Sequence, residues 1–316
     1  MIIRNIAIAG AGTMGAGIGQ ILAQHGYHIK LLDLTKTDLD RGRSTIQANI
    51  ETLQAHDMIT PEAIERIDRN ISYTTTIEDV SEVDLVIEAI VEKLAIKQAF
   101  WTRVEPLVGP DTILASNTSG LSIDAMSETI TKPERFIGMH FWNPPHIMPL
   151  VELIKGKQTT DEVVTRLETL CQRLGKVSVV VQKDVPGFIG NRLQFAVLRE
   201  ALHLLEAGIA TAEDIDKAMR FGPGFRYPHL GPIETADLGG LDVFALISEY
   251  LNRELSDEKG VSARLQDKVS QGHLGTKTGR GFYDYPADTL IEVLRQRDVR
   301  LLAQLQLSAK VNNKSL

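Results

Sequence analysis

Ile6-Ala7-Ile8-Ala9-Gly10-Ala11-Gly12-Thr13-Met14-Gly15 is the stretch on which the fold of this chain turns. The short apolar run reads as a buried strand, and the glycine spacing after it opens a helix. Each glycine has its own physical task. Gly10 permits a tight turn out of the strand, Gly12 leaves backbone N–H groups open to a pyrophosphate, and Gly15 lets the helix pack closely on the strand. The phosphates are expected at the positive end of that helix, against Thr13 and Met14. Eighteen residues beyond Gly15 a second apolar run ends in Leu31-Leu32-Asp33. A carboxylate there accepts hydrogen bonds from the adenosine ribose hydroxyls and repels a 2′-phosphate, so the pattern favours NAD over NADP. The alternative is a glycine turn that binds nothing, with Asp33 a solvated strand end.

Apolar runs then alternate with helix-length segments: Ile6 to Ala9, Ile29 to Leu32, Leu85 to Ile87, Thr112 to Ala115 and Phe136 to Met139. That rhythm predicts an α/β domain of the Rossmann type, a doubly wound and mainly parallel sheet covered on both faces. A helix is predicted from Thr159 to Gly175, with Thr159 and Glu162 as a capping box and Gly175 as its stop. Its apolar stripe of Val163, Val164, Leu167, Leu170, Cys171 and Leu174 makes Cys171 a core residue. Val177 to Val181 reads as a last strand. Pro186-Gly187 then breaks the chain before a helical pattern from Phe188 to Ala207, beyond which the sequence is mostly helical. The boundary is placed near Lys183, dividing the chain into residues 1–183 and an all-helical domain of residues 184–316. The helix after Pro186-Gly187 is rich in Phe, Leu and Val, and part of it is expected to be buried against another subunit.

The chain has 316 residues, of which 43% are hydrophobic and 24% charged, enough for two ordinary globular cores. A formal charge of −7 with scattered Lys and Arg argues against a nucleic-acid partner. A single cysteine allows no intrachain disulfide and points to no oxidising compartment. The N-terminus lacks the charged, apolar and cleavage regions of a signal peptide, and no apolar run approaches a membrane span. The expectation is a soluble, cytoplasmic protein acting on a small molecule, with no metal site.

Further motifs stand in order along the chain: Ser116-Asn117-Thr118-Ser119, Met139-His140-Phe141-Trp142-Asn143-Pro144, Leu150-Val151-Glu152, Pro186-Gly187-Phe188-Ile189-Gly190-Asn191-Arg192 and Lys277-Thr278-Gly279-Arg280-Gly281-Phe282-Tyr283. With these the chain resembles the 3-hydroxyacyl-CoA dehydrogenase family almost from end to end. The resemblance implies a Rossmann domain followed by a helical domain that binds substrate and dimerises. It also implies NAD-dependent oxidation of a 3-hydroxyacyl-CoA to the 3-oxoacyl-CoA, a step of fatty-acid metabolism. Matched residue by residue, it implies that His140 is the catalytic base and Glu152 its partner, with Ser119 and Asn191 holding the substrate's reacting oxygen. Glu92, Lys97, Asn117, Asn143 and Lys277 match the family's nicotinamide-side cofactor contacts. Physical chemistry agrees with these roles. An imidazole is suited to accept the hydroxyl proton near neutral pH, and a carboxylate on its other nitrogen fixes the tautomer. Donors on the oxygen are worth about 3–4 kcal/mol each where they have been removed in other enzymes.

Alternatives stand beside several of these assignments. His140 alone could be a structural histidine, Asn191 a helix-start residue serving the backbone, and Glu92 with Lys97 a surface ion pair on one helix. Two departures from the family bear on the substrate. The segment Leu53-Gln54-Ala55-His56-Asp57-Met58-Ile59-Thr60-Pro61 holds no lysine where acyl-CoA enzymes place basic or hydroxyl groups near the CoA. Arg226-Tyr227, with Asn143-Pro144-Pro145-His146, looks more like relatives that oxidise free hydroxy acids, such as L-gulonate or L-carnitine dehydrogenases. Arg226 is then a candidate grip on a substrate carboxylate, or else a loop residue bridging to an acid in its own domain. The acyl-CoA reading is set slightly ahead of the free-acid reading. An inert NAD-binding or structural protein on the same scaffold is a third possibility, against which the set Ser119, His140, Glu152 and Asn191 speaks.

Overall fold

The apolar runs form strands in a computed structural model that describes residues 3–312. Eight strands make one sheet: β1 (Asn5–Ala9), β2 (His28–Leu32), β3 (Ile71–Thr74), β4 (Leu85–Glu88), β5 (Ile113–Ser116), β6 (Phe136–Phe141), β7 (Leu150–Lys155) and β8 (Val177–Val181). Their order is β3-β2-β1-β4-β5-β6-β7-β8. Every neighbouring pair is parallel except β6 and β7, which run antiparallel with His140 opposite Glu152. The expected sheet is therefore present, with two strands that the apolar rhythm does not show. β3 is a half-polar edge strand, and in β7 a fully buried Glu152 interrupts the apolar pattern.

Successive residues of a strand point to opposite faces, and here each face has its own core. Ile6 and Ile8 pack among Ile18, Leu22, Ile46 and Leu167, under the helices α1 (Thr13–Gln24), α2 (Lys36–Gln54), α3 (Pro61–Asn70) and, further along the chain, Asp161–Arg173. Ala7 and Ala9 face Trp101, Val104, Leu114, Met126 and Phe136, under α4 (Leu94–Val104) and α5 (Ile123–Ser127). Each large aliphatic side chain fully removed from water contributes about 1.5–3 kcal/mol, which is why these runs seek the middle of the sheet.

The helix after β7, α6 (Asp161–Arg173), corrects one expectation. It starts behind Thr160, and no capping box forms. The Thr159 hydroxyl is already committed, donating to the Phe136 carbonyl at 2.6 Å and accepting from the Gly156 N–H at 2.9 Å. Cys171 lies in the core as expected, and burial pushes its thiol up to about 12. The next helix, α7 (Gly190–Glu206), begins two residues later than expected, because Gly187 (φ +77°) and Phe188 (φ +52°) first turn the chain through the left-handed region.

Two compact units result, Met1–Arg192 and Leu193–Leu316, so the division falls in the first turn of α7. The second unit contains α8 (Ala212–Phe221), α9 (Pro223–Arg226), α10 (Pro232–Gly239), α11 (Leu241–Leu251), α12 (Ala263–Ser270) and α13 (Leu290–Asn312). Among the described residues no helix is long and apolar enough to cross a membrane.

Candidate active site

At the carboxyl ends of β1, β2 and β4 lies a cleft of about 830 Å³, lined by Gly10, Gly12, Asp33, Ile90, Ile96 and Phe100 among others. Gly10 has φ +99°, and a Cβ there would collide with the Ala89 carbonyl. A Cβ on Gly15 would collide with the carbonyl oxygen of Gly10, so only glycine lets α1 sit this close to β1. Gly12 is different: nothing lies within 4 Å of a Cβ built on it, and it opens onto the cleft. The N–H groups of the first turn of α1, at Thr13 and Met14, have no acceptor within the helix, and no acidic side chain occupies that turn. Asp33 accepts from the Ala11 N–H and the Leu34 N–H, both at 2.7 Å, which fixes its carboxylate on the lip of the cleft. An open glycine face, free helix N–H groups, a fixed carboxylate and an apolar wall fit the pyrophosphate, ribose and adenine of a dinucleotide.

The candidate reacting groups stand over β6 and β7. The antiparallel register brings His140 and Glu152 side by side, with His140 Nδ1 2.8 Å from Glu152 Oε2. Glu152 is 0% exposed. Its Oε1 accepts from the N–H groups of Ile189 (3.0 Å) and Gly190 (2.9 Å), and its Oε2 also accepts from Trp142 Nε1 at 3.2 Å. Burial acts to raise this carboxyl, but the His140, Gly190, Ile189 and Trp142 donors together hold it below its ordinary 4.5. A carboxylate is an acceptor only, so Nδ1 carries a proton, and in the neutral imidazole Nε2 is the nitrogen with the free lone pair. His140 is itself 5% exposed, with the rings of Trp142 and Phe188 5.8 and 5.9 Å away.

The remaining candidates fall into three groups. Ser119 follows β5 and is exposed, its N–H donating to Glu92 Oε1 at 2.9 Å. Asn191 Nδ2 donates to the Ser119 carbonyl at 2.8 Å, so it already ties the start of α7 to the Ser119 loop. Asn117 Oδ1 accepts from the Phe141 N–H at 2.8 Å, and Asn143 is exposed on the loop after β6. Lys176 fixes that loop by donating to the carbonyls of Pro145 (2.8 Å) and Met148 (2.7 Å); burial pulls its ammonium down to about 8.

Glu92 and Lys97 are not a surface pair on one helix. Glu92 precedes α4, and Lys97 is 0% exposed, donating to the equally buried Glu88 and lying 3.2 Å from Glu92 Oε2. Burial acts to raise the Glu92 carboxyl; the Thr118 hydroxyl, Lys97 and the Ser119 N–H outweigh it and hold it low. In the second unit, Arg226 ends α9 and Lys277 lies in the loop before α13, both exposed. The Arg226 carbonyl accepts from the His229 and Leu230 N–H groups, but the guanidinium has no hydrogen bond or ion pair among the described residues, so the expected alternative of a bridge to an acid in its own domain does not form.

With this geometry in place, the comparisons with known proteins decide the family. Residues 5–185 match the 3-hydroxyacyl-CoA dehydrogenase NAD-binding domain, and residues 187–285 match the C-terminal domain of the same family. The chain belongs to the 3-hydroxyacyl-CoA dehydrogenase family. A probable 3-hydroxybutyryl-CoA dehydrogenase of Deinococcus radiodurans is 39% identical over 279 residues, covering 88% of this chain and 99% of that protein. A 5-formyl-3-hydroxy-2-methylpyridine 4-carboxylate 5-dehydrogenase of Mesorhizobium japonicum is 37% identical over 302 residues, covering 95% of this chain and 97% of that protein. A crystal structure of an enzyme of the latter activity, described as an NAD+-dependent dismutase, superposes with a TM-score of 0.91 at 36% identity over 98% of this chain and 99% of its own. This member of the 3-hydroxyacyl-CoA dehydrogenase family is accordingly an oxidoreductase acting on CH–OH with NAD.

Three parts of this dehydrogenase's site escape a reading of the sequence alone. Trp142 stands inside a motif with no role read from the sequence, yet its indole N–H is one of the four donors to Glu152. The Ile189 and Gly190 N–H groups reach Glu152 only because the chain turns at Gly187 and Phe188, and a Cβ on Gly190 would collide with Trp142. Glu88 reads as a strand end, but it is fully buried and holds Lys97, the Ser116 hydroxyl (2.7 Å) and the Ile90 N–H (2.9 Å). A glutamate closing an apolar run and a lysine nine positions on are the only signals of that pairing.

Proposed function

We propose that this dehydrogenase oxidises the CH–OH group of a small free acid, with His140 as the base and Arg226 as the cation that meets the substrate carboxylate. The His140–Glu152 pair carries the catalytic part of this reading. His140 Nε2 accepts the hydroxyl proton as the carbinol carbon gives up its hydrogen with the bonding electron pair, and the resulting imidazolium is stabilised by Glu152. Gly10, Gly12, Thr13, Met14, Gly15 and Asp33, with Glu92, Asn117, Asn143 and Lys277 on the nicotinamide side, would hold NAD, which when bound would supply the hydride acceptor. Lys97, sealed from solvent, serves by holding Glu92. Ser119 donates to the developing charge on the substrate oxygen, and Asn191 keeps the Ser119 loop in register.

The carboxylate part rests on Arg226, whose guanidinium is exposed and unpaired among the described residues. Likeness to the pyridine-carboxylate dehydrogenase over 95% of this chain supports it. A second reading, a 3-hydroxyacyl-CoA as substrate, is favoured by the 39% identity to a probable 3-hydroxybutyryl-CoA dehydrogenase. NADH absorbance distinguishes them across a panel of 3-hydroxybutyryl-CoA, free 3-hydroxy acids and a hydroxymethyl or formyl pyridine carboxylate. Turnover of a free acid, with kcat/KM reduced in Arg226→Ala by a factor equivalent to about 2–5 kcal/mol if the substrate buries the charge pair, is the expected result. Turnover of the CoA ester alone, indifferent to Arg226, would establish the second reading instead.

The helical unit is proposed to dimerise. Leu193, Phe195 and Val197 of α7, with Phe221, Leu238 and Leu246, are exposed in the single chain, and exposed large apolar side chains of this kind are what a subunit interface would cover. Light scattering should return about twice the mass of 34.9 kDa, and a monomer at micromolar concentration would rule this out.

A further inference from the structure

The reaction described so far makes no use of Glu88 and uses Lys97 only to hold Glu92, yet both ionisable side chains are 0% exposed. Burying one charge is costly unless it is paired, and an ion pair accounts for only part of what is built here. Lys97 donates to Glu88 Oε1 and also lies 3.2 Å from Glu92 Oε2, so one ammonium serves two carboxylates. Glu92 is 43% exposed and is the one member open to the solvent side. Among the described residues no other cation pairs with either carboxylate. The cluster thus carries a formal charge of one negative unit, and that charge emerges at Glu92.

Its place in the fold decides what it can act on. Dinucleotides bind across the point where strand order reverses, with the adenosine over one half of the sheet and the nicotinamide over the other. Asp33 and the adenosine cleft occupy the ends of β1, β2 and the near side of β4, which leaves the ends of β5 and β6 to the nicotinamide. Glu88 ends β4, Glu92 follows it, and the Thr118 hydroxyl and Ser119 N–H after β5 both donate to Glu92. The nicotinamide ring is cationic when oxidised and neutral when reduced. A fixed negative charge beside it therefore acts on one form and not the other, and two of the three charges are sealed from water, where screening is weak.

We propose that the Glu88–Lys97–Glu92 cluster biases the cofactor site toward the oxidised form of NAD, with Glu88 and Lys97 as positioning residues that act through Glu92. The inference rests on the NAD-dependent reading above. Its consequence is directional: the cluster strengthens binding of the oxidised cofactor relative to the reduced one. Glu88→Gln preserves shape and hydrogen bonding but leaves Lys97 to neutralise Glu92, so the cluster loses its net charge.

The test is the ratio of dissociation constants for NAD+ and NADH, measured by calorimetry or nucleotide fluorescence without substrate, so it is independent of the substrate assignment. In Glu88→Gln the NAD+/NADH ratio of Kd values should rise about tenfold, mainly through weaker NAD+ binding. Ser116→Ala removes one donor from Glu88 without changing charge and should leave the ratio where it is. Equal changes in both Kd values for Glu88→Gln, or an equal shift of the ratio in Ser116→Ala, would overturn the proposal. If Glu88→Gln fails to fold, Glu92→Gln makes the same charge change at a half-exposed position and must raise the ratio; an unchanged ratio overturns the proposal as well. Failure of the unaltered protein to bind either nucleotide would overturn the cofactor reading itself.

Discussion

Over β1 and β2 the ligand-facing surface is mostly backbone and space: Gly10, Gly12 and Gly15, the first turn of α1, and one carboxylate held by two N–H groups. Over β4 to β7 it is mostly side chain, and those side chains are already bonded to one another. Glu152 takes four donors, Glu88 takes three, and Glu92 holds two groups of the Ser119 loop while sharing Lys97. The first region offers room and unsatisfied N–H groups; the second holds a charge distribution already in place. A binding surface of backbone is sensitive to added atoms, whereas a prepared set of side chains is sensitive to lost ones.

The largest effect that can break this comparison is expected on the side-chain half. His140→Ala should lower kcat by about 10²- to 10⁴-fold while leaving NAD affinity nearly unchanged, since the base acts chiefly in the transition state. Near wild-type turnover in steady-state assays would remove His140 from the mechanism. The Glu152 partner adds a pH signature. Its carboxyl is held below 4.5 in the folded chain, so its share of stability is present above the ordinary carboxyl range and lost as pH falls through the lowered value. Thermal melts of Glu152→Gln across acid pH should lose that slope, and an unchanged slope would count against the hydrogen-bonded carboxylate.

On the backbone half, the glycines sharpen the contrast. Gly15→Ala places a methyl group against the Gly10 carbonyl and should destabilise the fold by about 1–3 kcal/mol, with NAD binding lost alongside. Gly12→Ala meets no neighbour and should melt like the unaltered protein while binding NAD more weakly. Equal melting temperatures for the two variants would show that the close approach of α1 to β1 is not what Gly15 secures. The smallest effect is expected at Asp33. Asp33→Ser should narrow the NAD/NADP ratio of kcat/KM by about tenfold, through loss of a ribose acceptor and of a repulsive charge; a native preference for NADP would refute the role given to Asp33.

Features that depend on neighbours in the chain were legible from residue order. The apolar runs of β1, β2, β4, β5, β6 and β8 are visible because strands buried on both faces must be apolar throughout, and the glycine spacing is visible because turn, close approach and helix start lie within ten residues. β7 was hidden for the converse reason: its fully buried glutamate makes sense only opposite His140 on β6, a pairing across twelve residues that antiparallel register creates. The capping box at Thr159 failed on the same ground, since a strand carbonyl at Phe136 had claimed the hydroxyl.

The sequence alone therefore determined the Rossmann architecture, the cofactor motif and the family, all of which rest on local patterns and on motif order. Only the tertiary structure decided which polar groups share a charge. That Lys97 belongs to Glu88 as well as Glu92, that Trp142 and two backbone N–H groups complete Glu152, and that Asn191 reaches the Ser119 carbonyl follow from strands and loops far apart in the chain. A buried charge must find its partners wherever the sheet brings them, and that requirement leaves little trace in the order of residues.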